Sequence, residues 1–176
     1  ALGTDLNGKS VASGPNPQTG PFYVEGAEPG NMLVVSIEKI EVNRADALAG
    51  SLLAPYALDP AAIGQRVDRG ARIVTWKLDK ARGVATLSEP GITPALELPL
   101  RPMLGCVGVA PARKEAIGTG TPGAFGGNMD YAGLNQGVKV MLPVNEPGAL
   151  LFIGDGHALQ GEGEVVGTGL ETSMDV

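Results

Sequence analysis

His157 is the only histidine in this chain of 176 residues, so any imidazole ligand, base or proton shuttle must be that residue. It sits in a polar run set among glycines, Gly154-Asp155-Gly156-His157-Ala158-Leu159-Gln160-Gly161-Glu162-Gly163-Glu164. A second such run is Gly126-Gly127-Asn128-Met129-Asp130. Asn128 and Asp130 are spaced i, i+2, as are Asp155 and His157, and Glu162 and Glu164. In extended backbone such pairs project from one face and aim two ligand atoms at one point, and Gly156 and Gly163 let backbone or ligand come close. Imidazole with carboxylates suits zinc, whereas carboxylate and amide oxygens alone lean toward calcium or magnesium. The spacing is loose for a metal motif and does not match an EF-hand loop. A surface-loop histidine, or a hydrogen-bonded structural one, is the ordinary alternative.

Other routes to chemistry are weaker. Cys106 lies in an apolar run, Leu104-Gly105-Cys106-Val107-Gly108-Val109, with no adjacent histidine or basic residue to stabilise a thiolate, and reads as a buried inert thiol. No Gly-x-Ser-x-Gly elbow occurs. Ser13-Gly14 and Gly118-Thr119-Gly120-Thr121 lack the Gly-Lys-Ser/Thr that cradles phosphate. With 13 basic and 19 acidic side chains, a net charge of -6 and no basic cluster, the chain is not built to neutralise nucleic-acid phosphates. No apolar run approaches the roughly 18 residues of a membrane span, and the expected compartment is the cytoplasm. A single cysteine permits no internal disulfide.

The elements that must position these residues are strands. Twenty-seven glycines and 14 prolines are nearly twice the usual share of about 12%, and glycine and proline cost about 1 and 3 kcal/mol inside a helix. Apolar residues reach 43%, enough for a core. Alternation and turn residues predict strands over 32–40, 72–78, 84–87, 92–98, 104–109, 138–142, 149–153 and 164–174, with 79–83 turning a hairpin. Residues 7–20 read as loop, and 45–53 is the one stretch where a helical turn is plausible. Many short strands with frequent turn signals imply a sandwich or barrel. With no clean linker, 1–176 is expected to be one domain.

Several blocks together resemble the acetamidase/formamidase family. They are Asn16-Pro17-Gln18-Thr19-Gly20-Pro21-Phe22-Tyr23-Val24-Glu25-Gly26-Ala27-Glu28-Pro29-Gly30, then Gly105-Cys106-Val107-Gly108-Val109-Ala110-Pro111, then Gly126 to Asp130, and most clearly Gly154 to Glu164. There the family typically reads Gly-Asp-x-His-Ala-x-Gln-Gly-Asp-Gly-Glu, and Glu162 stands where Asp is common. The resemblance implies an all-β, jelly-roll-like β-sandwich with long Gly/Pro-rich loops and little helix. It implies hydrolysis of a short amide, formamide or acetamide, to the acid and ammonia, with a metal at the site. Members are usually longer, so the chain is expected to be incomplete at both ends.

The resemblance also implies site roles for Asn128, Asp130, Asp155, His157, Gln160, Glu162 and Glu164. Within that set, Asp130, Asp155 and His157 are the expected ligands of a divalent metal, zinc or alternatively calcium. Glu162 or Glu164, with His157, would handle protons, and Asn128 or Gln160 would bind the substrate amide. Partners are expected to be the small amide substrate and further copies of the chain in a homo-oligomer. Competing readings are Cys106 as an acyl-forming nucleophile with Glu164 as base, and a non-catalytic β-sandwich that binds a ligand or is an inactive fragment of such an enzyme.

Overall fold

The structure, a computed structural model, describes residues 16–50, 73–91 and 93–176. In chain order the described strands are β1 (Gln18–Phe22), β2 (Met32–Ser36), β3 (Glu41–Val42), β4 (Asp46–Gly50), β5 (Ile73–Asp79), β6 (Val84–Leu87), β7 (Leu96–Pro99), β8 (Met103–Gly108), β9 (Pro122–Gly123), β10 (Gly126–Asn128), β11 (Lys139–Pro143), β12 (Leu151–His157) and β13 (Met174–Asp175). One sheet has the order β1-β12-β8-β10-β9 and another the order β4-β5-β6-β7, with two-stranded ribbons β2-β11 and β3-β13. Every strand pairing among the described residues is antiparallel. The expected all-β architecture with little helix is the one observed. Among the described residues no helix is long and apolar enough to cross a membrane.

The sheets follow from burial patterns. In β5, Trp76 and Leu78 are buried while Ile73, Thr75 and Lys77 are exposed, the period of a strand with one face on a core. β8 is buried throughout, as a central strand flanked by β12 and β10 must be. Its register sets Cys106 opposite both Gly154 and Asn128, and the β1–β12 register sets Gln18 opposite Gly154. The two glycine-rich polar runs therefore lie on either side of one strand.

Two cores result. Leu104, Val107, Val109, Phe125 and Leu142 fill one; Val42, Ala47, Trp76, Leu78 and Leu170 fill the other. The chain near 168–172 runs between them. The Ala158 N–H donates to the Leu170 carbonyl and the Thr172 N–H to the Gly156 carbonyl, while Glu171 and Leu48 donate to each other's carbonyls at 2.8 and 2.9 Å. This segment fastens β12 of the five-stranded sheet to β4 of the four-stranded one.

Three sequence expectations need correction. The helical turn over 45–53 is instead β4 as far as Gly50, with Ala47 opposite Trp76, because pairing onto β5 overrides the helical propensity of Ala and Leu; 51–53 lie outside the described residues. The single strand over 164–174 is a tight turn at Glu162–Glu164, then isolated bridges at Glu171 and only Met174–Asp175 as strand. Gly163, Glu164 and Gly167 have φ of +69°, +44° and +78°, which extended backbone does not allow. The loop over 7–20 gives way at Gln18 to β1; 7–15 lie outside the described residues, as does Ser13-Gly14.

Candidate active site

The chemistry gathers at the end of β12. Asp155 and His157 are both on that strand, and Asp155 has a φ of +58°. This left-handed residue turns its carboxylate beside the imidazole, with Oδ1 3.4 Å from His157 Nε2. Asp130, just beyond β10, and Glu164, in the turn after β12, also have positive φ, both +44°. Left-handed backbone at such residues costs about 1–3 kcal/mol each and clusters where a structure holds groups for function.

The imidazole is completely buried. Glu171 Oε2 lies 3.1 Å from His157 Nε2, and Glu164 Oε1 3.9 Å from it. On the other side of the ring, Nδ1 meets Gln160 Oε1 at 2.7 Å, and Gln160 Nε2 donates to the Asp130 carbonyl oxygen at 2.5 Å. Asn128 donates to Asp130 Oδ2 at 2.7 Å and accepts from Asn16 at 2.6 Å, and Asn16 also reaches Asp155 Oδ2 at 3.3 Å. The carboxylates open onto a cleft of about 720 Å³. Asn16, Asn128, Met129, Leu48 and Thr168 line it too.

Of the residues singled out by sequence, Asp130, Asp155, His157, Glu164, Gln160 and Asn128 are brought together. Glu162 is not. Gly163 reverses the chain between the two glutamates, so Glu162 is exposed and lines a separate cleft with Arg101 and Tyr131. The same-face argument holds for extended chain, and this segment is a tight turn. Gln160 is buried against the histidine, and both ends of the Asn128 amide are engaged with protein.

Glu171 and Asn16 were not among the sequence candidates. Glu171 has no local spacing signal, because the bridges to Leu48 and His157 deliver it. Its Oε1 accepts from the Gly169 N–H at 2.9 Å, leaving Oε2 for the histidine. Asn16 opens the family-like block and is the residue there that reaches the site.

The donor set fits a divalent cation. Asp130, Asp155 and His157 offer atoms within 4.8 Å of one another, and so do His157, Glu164 and Glu171. His157 Nε2 and Asp130 Oδ1 are buried with no hydrogen bond, since the nearby carboxylates do not align with the ring N–H. At Gly105 a Cβ would stand 2.6 Å from Asp155 Oδ2 and 2.7 Å from Asp130 Oδ1. The glycine leaves the room in which the two carboxylates converge.

Charge follows the same logic. Burial alone would lower His157, but the Asp155 and Glu171 carboxylates outweigh it and hold the imidazolium up to about 11. Without a cation the ring thus keeps a proton amid surplus negative charge, and a cation held there would exchange for that proton. Burial, then the Asp130 charge, pushes Glu164 up to about 7. Burial, then Asp155, raises Asp130. Burial first, with Asp155 and Asp130 behind it, pushes Cys106 up to about 12, which speaks against a thiolate nucleophile.

Residues 103–175, which include this whole constellation except Asn16, match the model of the acetamidase/formamidase family. The family resemblance read from the motifs is borne out. An acetamidase of Bacillus halodurans is 35% identical, with a TM-score of 0.75 over 96% of this chain and 50% of its own. A predicted acetamidase/formamidase of Thermoanaerobacter tengcongensis is 38% identical, with a TM-score of 0.73 over 90% of this chain and 48% of its own. An acetamidase of Yersinia enterocolitica is 32% identical, again with a TM-score of 0.73, over 90% and 47%. The chain spans about half the length of each of these acetamidase/formamidase-like structures.

Proposed function

We propose that this chain supplies the chemical centre of an amidohydrolase that converts a short aliphatic amide, formamide or acetamide, and water to the carboxylic acid and ammonia. The observation that carries the reading is one buried imidazole facing four carboxylates beneath an open cleft, in a chain similar to acetamidases. His157 through Nε2, Asp155 and Asp130 would hold a divalent cation, with Glu164 and Glu171 on its flanks. The imidazole favours zinc, and the surplus of carboxylate oxygens makes calcium the alternative. When bound, such an ion polarises a carbonyl oxygen and lowers the pKa of water toward about 7.

The remaining work belongs to side chains. A carboxyl near 7 exists in both protonation states at neutrality, so Glu164 can take a proton from water on one oxygen and return it to the leaving nitrogen. Asp130 and Asp155 are held in place by the Asn128 and Asn16 amides, which fixes their oxygens before substrate arrives. Leu48, Ala49, Ile73 and Met129 give the cleft an apolar wall on which the alkyl end of an amide can rest.

Ammonia release by the purified full-length protein from formamide and from acetamide, before and after chelation, tests the reading. Release that chelation abolishes and zinc restores supports it. A cation-loaded protein that frees no ammonia from either amide favours the non-catalytic binding module.

A further inference from the structure

We infer that Gln160 is a positioning residue that fixes which nitrogen of His157 carries the proton, holding it on Nδ1 and turning Nε2 toward Asp155, Glu164 and Glu171. The inference deepens the proposed function and rests on its reading of Nε2 as the ligating atom. The argument begins at a group whose polarity is fixed. A backbone carbonyl oxygen only accepts, so the partner of the Asp130 carbonyl must be the NH2 end of the Gln160 amide, 2.5 Å away. That contact orients the amide without ambiguity and leaves its Oε1 toward the ring, 2.7 Å from Nδ1. An amide oxygen also only accepts, so Nδ1 must donate. A neutral ring held this way has its lone pair on Nε2, the atom that lacks a hydrogen bond.

Two further observations separate this role from binding substrate. Gln160 is 9% exposed and does not line the cleft that holds the carboxylates. Gly169 closes the same side of the ring, where a Cβ would lie 2.7 Å from Nδ1, so the space beside Nδ1 admits the glutamine oxygen and little else. The clamp also ties the imidazole to the backbone of Asp130, so two members of the constellation move together. Partners of this kind orient a ligating imidazole, and losing one costs roughly 10- to 100-fold in metal affinity.

Isotopic labelling of histidine in the full-length protein, with signals assigned to His157, reads the tautomer directly. In protein loaded with an NMR-active cadmium isotope, coupling to Nε2 with the ring proton on Nδ1 is expected, and coupling to Nδ1 overturns the inference. In metal-free protein the Nδ1–H, which a neutral ring held by Gln160 and a doubly protonated ring both carry, is expected to be hydrogen-bonded and protected from solvent exchange in the wild type and in Gln160→Glu, which keeps an acceptor oxygen, and to lose that protection in Gln160→Leu. Wild type without a protected Nδ1–H, or Gln160→Leu with one, also overturns it. Zinc affinity should fall roughly 10- to 100-fold in Gln160→Leu and recover in part in Gln160→Glu. A protein that binds neither zinc nor cadmium refutes the cation reading alone, and the metal-free measurement then decides the role of Gln160.

Discussion

Glu171 and His157 meet twice, once through their side chains, with Oε2 3.1 Å from Nε2, and once through a backbone bridge. The bridge, extended on the far side to Leu48, fixes the Glu171 backbone whatever its side chain is. Glu171→Gln should therefore keep the fold and lose the charge. The expected outcome is unchanged strand content by circular dichroism, with amide turnover and zinc affinity each lower by at least about 10-fold. A variant that binds zinc and turns over amide like the wild type would show that the contact is structural only.

The glutamates of the turn should separate sharply. Glu164 faces the histidine and Glu162 lines another cleft with Arg101. Glu164→Gln is expected to lower kcat by roughly 10²- to 10⁴-fold, the range for losing a positioned proton-transfer group. Glu162→Gln should stay within about 3-fold of wild type, as an exposed side chain outside the site should. Equal losses in the two variants would contradict this placement of the chain around Gly163.

Gly105 offers a steric test. An alanine methyl there would press on oxygens of both Asp130 and Asp155 at 2.6–2.7 Å. Because β8 is a central, fully buried strand, the backbone has little room to retreat. Gly105→Ala should lose stability by about 1–3 kcal/mol, as overpacked cores do, and bind zinc more weakly. Thermal denaturation and metal titration check the two parts. Unaltered zinc affinity would mean that the two carboxylates do not share a ligand.

The fold class was legible because alternation in 32–36, 73–79 and 139–143 is a local property, and each of those segments is a strand. The candidate site was legible where motif and strand coincide, at Asp155 and His157. It was not legible at Glu171, which arrives through pairing with two separate segments, nor at Glu162, where a left-handed glycine undoes the period of two. The 46–50 strand was hidden for a related reason: Ala and Leu favour helix locally, and only β5 alongside them decides otherwise. Gln160 shows a subtler limit, since its type suggests hydrogen bonding but only its burial shows with what.

Removing a bound cation should destabilise as well as inactivate. Without it the four carboxylates face a single imidazolium, and repulsion among them is only partly relieved. A ligand that binds only the folded chain stabilises by about 2.7 kcal/mol at one hundred times its Kd. Addition of zinc after exhaustive chelation should thus raise Tm in a concentration-dependent way, and His157→Ala should lose most of that rise. A zinc response that persists in full in His157→Ala would place the ion elsewhere.

Cys106 makes the last prediction, one of reactivity and pH. Its thiol is held up to about 12 against a usual 9.0, chiefly by burial. The folded chain thus favours the protonated thiol more than the unfolded chain does. The stability this group contributes is complete below about pH 9 and is lost as pH climbs from 9 toward 12. Two measurements follow. Iodoacetamide at neutral pH should leave Cys106 unmodified in native protein and alkylate it in denaturant, as intact mass will report. Across pH 8 to 11, Cys106→Ala should lose less Tm than the wild type does. Rapid native alkylation with concurrent loss of amide turnover would instead revive the thiol as nucleophile, and with it a chemistry in which the cation is dispensable.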